Sequence, residues 1–131
     1  MPPKNKVLFD ASALLTLIQE EEGYELLEAV IPTAVISSVN LSEVISVLTR
    51  GGIPHEKIKE VIDSSITDVI PFMRNEAHYS GELINQTKSL GLSLGDRACI
   101  ATGILYGLRV YTTDRAWGEL KLKGLELVMV R

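Results

Sequence analysis

The chain has 131 residues, a net charge of −4, and 46% hydrophobic but only 5% aromatic residues. That length fits a single domain, residues 1–131, with an aliphatic core of its own. The acidic balance argues against a nucleic-acid binder that works by a basic face alone, and no apolar run reaches the roughly 18 to 20 residues of a membrane span.

The start, MPPKNK, has only the short VLF behind it, so no secretion signal is expected and the chain reads as soluble and cytoplasmic. The one cysteine, Cys99, lies in an apolar helical stretch and reads as a small buried hydrophobe, consistent with a reducing compartment. His55 and His78 stand far apart with no ligand spacing around them; they read as surface residues, and a zinc site is not expected.

Residues 6–9 read as a strand ending at Asp10, and 11–19 as a helix with Leu14, Leu15, Leu17 and Ile18 on its apolar face. A short helix is expected over 24–30, a buried strand over 34–38, and a helix over 40–50 that Gly51 and Gly52 terminate. Pro54 suits the first turn of a helix running to about residue 64. A third strand follows over 67–72, then a helix over 75–90 stopped by Gly91. Ser93 suits the N-cap of a helix through Tyr106, ended by Gly107. A fourth strand spans 109–113, a short helix runs from Asp114 to about residue 120, and a last strand spans 125–130. Strands alternating with helices predict an α/β fold: a three-layer α/β/α sandwich around a central parallel sheet.

Each acid at a strand or helix end has a local reading. Asp10 and Asp114 suit helix caps, Asp96 suits the first turn of its helix, and Glu43 suits an exposed helical position. Ligands in open α/β sheets, however, bind beyond the carboxyl ends of the strands. Asp10 and Asp114 leave strands at that edge, and Glu43 sits one turn into the helix after the second strand. Periodicity alone does not bring Asp96 there. The four carboxylates account for the whole net charge of −4. Asp10 and Asp96 lie in apolar company, where a carboxylate needs a positive partner. Oxygen-only ligands suit a hard cation, Mg²⁺ or Mn²⁺.

VLFDASALL at 7–15, SSVNLSEV at 37–44, LSLGDRACIATG at 92–103 and VYTTDRAW at 110–117 resemble, in the same order, the motifs of PIN-domain ribonucleases, in particular the VapC-type toxins of toxin–antitoxin pairs. The resemblance covers nearly the whole chain. It implies a metal-dependent endoribonuclease in which Asp10, Asp96 and Asp114 hold Mg²⁺ or Mn²⁺, and Glu43 completes the pocket as ligand or as orienter of the attacking water. It also implies supporting roles for Ser12, Asn40 and Thr112, although each of these equally suits local capping or turn bonding. A homodimer and a cognate VapB-type antitoxin are implied as partners, the antitoxin bringing a basic side chain to the acidic pocket.

Arg97 and Arg115 follow proposed ligands and are read as surface residues rather than phosphate contacts. Trp117 is read as packing its short helix onto the domain rather than stacking on a base. Two other functions remain open. A non-catalytic PIN-like module would bind RNA or protein without cutting. A phosphoacceptor or phosphatase domain also places an aspartate after its first strand, but such domains usually carry a second aspartate beside it, where this chain has Ala11 and Ser12.

Overall fold

A computed structural model describes residues 5–66 and 68–131. Five strands form one parallel sheet: β1 (Val7–Phe9), β2 (Ala34–Ser37), β3 (Asp68–Ile70), β4 (Arg109–Thr112) and β5 (Leu127–Met129). Their spatial order is β3-β2-β1-β4-β5. The chain therefore winds outward from β1 to β3 on one side, then crosses back and winds outward through β4 and β5 on the other. The reversal falls between β1 and β4, where Phe9 pairs with Tyr111.

Among the described residues seven α-helices flank the sheet: α1 (Ala11–Gln19), α2 (Tyr24–Glu28), α3 (Ser38–Arg50), α4 (His55–Ser65), α5 (Arg74–Glu82), α6 (Ile84–Thr87) and α7 (Leu94–Tyr106). Side chains alternate across each strand. Val7, Phe9, Ala34, Ile36 and Tyr111 face Leu14, Leu17, Val44, Leu48, Ile58 and Ile62 of α1, α3 and α4. Leu8, Val35, Ile70 and Val110 face Cys99, Ile100 and Ala101 of α7, together with Leu83, Leu92 and Trp117. This is the α/β/α sandwich expected from the alternating elements. No helix among the described residues is long and apolar enough to cross a membrane.

Local chemistry shifts several boundaries. The third helix starts at Ser38 rather than residue 40, because Ser37 Oγ accepts the Val39 amide (3.3 Å). Pro54 sits just outside α4 as its N-cap. The single helix expected over 75–90 is instead α5, α6 and a 3-10 turn at Lys88–Leu90. Gly81 weakens the helix there, and the hydroxyls of Ser80 and Thr87 bond back to carbonyls three or four residues earlier, an arrangement that bends helices. The helix expected after Asp114 is a 3-10 helix, Arg115–Glu119. The strands are shorter than expected, with β3 beginning at Asp68; Thr67 lies outside the described residues.

Candidate active site

Asp10 leaves β1 at the point where the strand order reverses, and its amide continues the β1–β4 ladder by donating to Tyr111 O (3.2 Å). Its side chain caps α1, accepting the Ala13 amide at 2.8 Å. Ser12 Oγ donates to the same oxygen at 2.7 Å, and Thr112 Oγ1, at the end of β4, donates to the other at 2.5 Å. The carboxylate is 4% exposed. Burial pushes its pKa up to about 6; the three hydrogen bonds from Thr112, Ser12 and Ala13 oppose this, and the charge of Asp96 adds to it.

The same two hydroxyls anchor the segment after β4. Ser12 Oγ accepts the Thr113 amide (3.0 Å), and Thr112 Oγ1 accepts the Asp114 amide (3.0 Å). Asp114 then caps its 3-10 helix through Oδ1 and the Ala116 amide (3.0 Å).

Asp96 comes from the other side of the sheet. Ser93 and Asp96 form a reciprocal capping box at the start of α7: Ser93 Oγ accepts the Asp96 amide (3.2 Å), and Asp96 Oδ2 accepts the Ser93 amide (2.9 Å). Glu43, on α3, reaches the same place. Asn40 Nδ2 donates both to Glu43 Oε1 (2.7 Å) and to Gly95 O (3.0 Å), beside Asp96. Asp10, Asp96 and Glu43, from three segments, all lie near enough to act on the buried Cys99 thiol: burial pushes its pKa well up, and their charges push it further. Asp114 joins them through Thr112 and is not among the charges acting on Asp10 or Cys99.

The donor set is oxygen-only and carries uncompensated negative charge. Among the described residues no Lys, Arg or His forms an ion pair with any of the four acids. Glu43, Asp96 and Asp114 each commit one oxygen to the chain, and their other oxygens accept no hydrogen bond from a described residue. No three His, Cys, Asp or Glu side chains among the described residues are close enough to cage an ion. That combination fits a hard divalent cation that takes one or two carboxylates directly and keeps much of its water, as Mg²⁺ does. It does not fit a soft ion or one that needs a closed protein cage.

Other residues have plainer places. Arg97 is not a free surface residue: it is half-buried, with Nε donating to Ser80 O (3.2 Å) and Nη1 to Leu92 O (3.3 Å), so it ties α5 and the preceding loop to α7. Arg115, His55 and His78 are exposed. Trp117 is fully buried in the core on the α7 side. Gly95, which sequence reasoning passed over, lies directly against Glu43: an added Cβ would stand 2.6 Å from the Glu43 Cδ. The available signal was a glycine inside a helix, where alanine is favoured by up to about 1 kcal/mol and a glycine calls for a reason.

The fold is shared with solved toxin–antitoxin structures. The chain is similar to a chain of the toxin–antitoxin complex from Klebsiella pneumoniae, with a TM-score of 0.75, 23% identity, and coverage of 96% of this chain and 98% of that one. It is also similar to chains of VapBC2 from Rickettsia felis bound to a promoter DNA fragment (TM-score 0.73, 18% identity, 94% and 97% covered) and of DNA-bound VapBC from Salmonella typhimurium (TM-score 0.73, 19% identity, 96% and 98% covered). No curated protein sequence matches it significantly. The PIN-domain family model matches residues 7–122, a span that takes in all four acids. The chain belongs to the PIN-domain family.

Proposed function

We propose that this protein is a metal-dependent endoribonuclease of the VapC toxin type, acting in the cytoplasm and held in check by a VapB-type antitoxin. The reading is supported by Asp10 at the strand-order reversal, by Glu43 and Asp96 lying near enough for all three charges to act on Cys99, and by no cationic side chain among the described residues pairing with them. Asp114 borders that site through Thr112. The likeness to chains of toxin–antitoxin complexes supports the partner and the toxin role.

The site suits a hydrated Mg²⁺ or Mn²⁺ that Asp10, Asp96 and Asp114 would hold, one or two of them directly and the rest through water, with Glu43 completing the pocket. When bound, such a cation supplies positive charge that lowers the pKa of water and offsets charge building on a phosphoryl group. The chain's own groups do the rest. The free oxygens of Glu43 and Asp96 accept hydrogen bonds from the attacking water and orient it toward phosphorus. Ser12 and Thr112 hold the Asp10 carboxylate in one rotamer, and Asn40 does the same for Glu43. The acidic pocket repels bare phosphate, so the RNA backbone is admitted only with cations present. It also attracts a basic side chain from an antitoxin. A homodimer is the proposed assembly.

Expression of the chain in a tolerant host, with Asp10→Asn as the control, tests the reading. Mapped RNA ends should show new cut sites with the wild type alone. A PIN-like module that binds without cutting is the second reading, favoured by the lack, among the described residues, of three acids close enough to cage an ion. Calorimetry separates the two: no heat with Mg²⁺ or Mn²⁺, alongside intact RNA affinity, supports the module.

A further inference from the structure

The Glu43 carboxylate lies across the backbone of Gly95, with its carbon 2.6 Å from where a Cβ would stand, closer than real Cβ contacts come. Gly95 has no left-handed φ, so its backbone conformation does not call for glycine. Helix propensity argues for alanine there. The missing side chain is instead what lets the carboxylate approach.

Asn40 closes this junction from α3. It is 2% exposed. Its Nδ2 donates at 2.7 Å to Glu43 Oε1 and at 3.0 Å to Gly95 O, so one amide group ties α3 to the turn of α7 that carries Asp96. Two acceptors fix which way the amide points. Its Oδ1 is buried and accepts no hydrogen bond from any described residue. A buried acceptor without a partner costs stability, so the amide is held in this orientation by the two bonds that its Nδ2 makes. No other side chain fills the place as well: aspartate lacks the two donors and adds a like charge, serine offers one donor, and glutamine is a methylene too long.

We propose that Asn40 and Gly95 are positioning residues. Together they fix the Glu43 carboxylate against the first turn of α7, and so set the Glu43–Asp96 spacing that a hydrated divalent cation meets. This rests on the metal reading above and deepens it: Gly95 is added, and Asn40, already bonded to Glu43, is tied through the Gly95 carbonyl to the turn that carries Asp96.

The test uses the full chain and Mn²⁺ as the probe. Asn40→Ala, Gly95→Ala, Glu43→Ala and the two double variants carrying Glu43→Ala are titrated by calorimetry, and the unfolding midpoint of each metal-free protein is measured alongside. Asn40→Ala and Gly95→Ala should each weaken Mn²⁺ binding about 10-fold or more. Neither should weaken it further once Glu43→Ala is present, because both act through that carboxylate. In metal-free protein, Gly95→Ala should be less favourable to the midpoint in the wild-type background, where the Glu43 carboxylate must move aside, than in the Glu43→Ala background. Wild-type Mn²⁺ affinity in Asn40→Ala overturns the proposal, and so does an equal loss with and without Glu43. A wild-type chain that takes up no Mn²⁺ overturns the metal reading. The metal-free cycle still judges the junction in that case, and midpoint changes that simply add would sink it.

Discussion

Thr112 donates its hydroxyl to Asp10 at 2.5 Å across 102 residues of sequence, and the same oxygen accepts the Asp114 amide at 3.0 Å. One side chain therefore joins the ends of β1 and β4 on the two sides of the strand-order reversal and sets where Asp114 begins its turn. Thr112→Val keeps the shape and the strand preference but removes the hydroxyl. A lost hydrogen bond to a buried carboxylate costs roughly 1.5–3 kcal/mol. The expected result is a loss of that size in urea unfolding at neutral pH and a smaller one in acid, where Asp10 is protonated. Equal losses at both pH values would separate Thr112 from the charge on Asp10.

Asp10 should destabilise the metal-free protein at neutral pH. Its folded pKa, about 6, lies above the ordinary 3.8. The proton is thus held more tightly in the folded state. The associated stability is complete below about pH 4 and is lost as pH rises through about 6, a change of about 3 kcal/mol. Asp10→Asn removes the charge. In thermal unfolding at pH 7.5 without metal it should raise the midpoint by several degrees while abolishing RNA cleavage, a trade of stability for function. An unchanged or lower midpoint would argue against burial as the cause of the raised pKa.

Metal should reverse that penalty. A cation that binds only the folded, deprotonated site stabilises it by mass action and competes with the proton on Asp10. Mn²⁺ should therefore raise the wild-type midpoint at pH 7.5, have much less effect at pH 5, and leave Asp10→Asn unmoved. Equal shifts in wild type and variant would mean that the ion binds elsewhere.

How much of this could be read from sequence depended on distance along the chain. Asp10 and Asp114 were legible because a strand end is a local signal and parallel pairing puts every strand end at one edge. Glu43 and Asp96 were legible as motif residues, but no spacing rule brings a helix start from the other face to the same point. The Asn40 bridge is what ties α3 to the turn of α7 that carries Asp96. Gly95 stands out in the sequence only as a glycine within a helix; its reason, a carboxylate on another helix, has no local signal. The place of Arg97 was not legible because the carbonyls it serves, Ser80 on α5 and Leu92 in the loop before α7, are brought to it by packing and not by any local spacing.

Away from the site, Glu76 is a buried carboxylate that accepts from the Tyr106 hydroxyl and from the Met73 amide (2.8 Å). Burial pushes its pKa up, but the donors, Tyr106 first, outweigh that and hold it below the ordinary value. The stability this contributes is present at neutral pH and lost as pH falls through the carboxyl's titration. Tyr106→Phe should cost roughly 1.5–3 kcal/mol in urea unfolding at pH 7, loosen the packing of α5 on α7, and leave Mn²⁺ binding unchanged. A variant as stable as wild type would show the bond to be dispensable.

The most direct test of the central claim is cleavage of a labelled RNA by the purified chain with Mg²⁺, with Mn²⁺ and with a chelator, beside Asp10→Asn and Asp96→Asn. The expected result is site-selective cutting by the wild type that needs the metal, stops with the chelator, and is absent from both variants. Cutting that survives the chelator, or that is equal in wild type and variants, would contradict a carboxylate-held metal at this site.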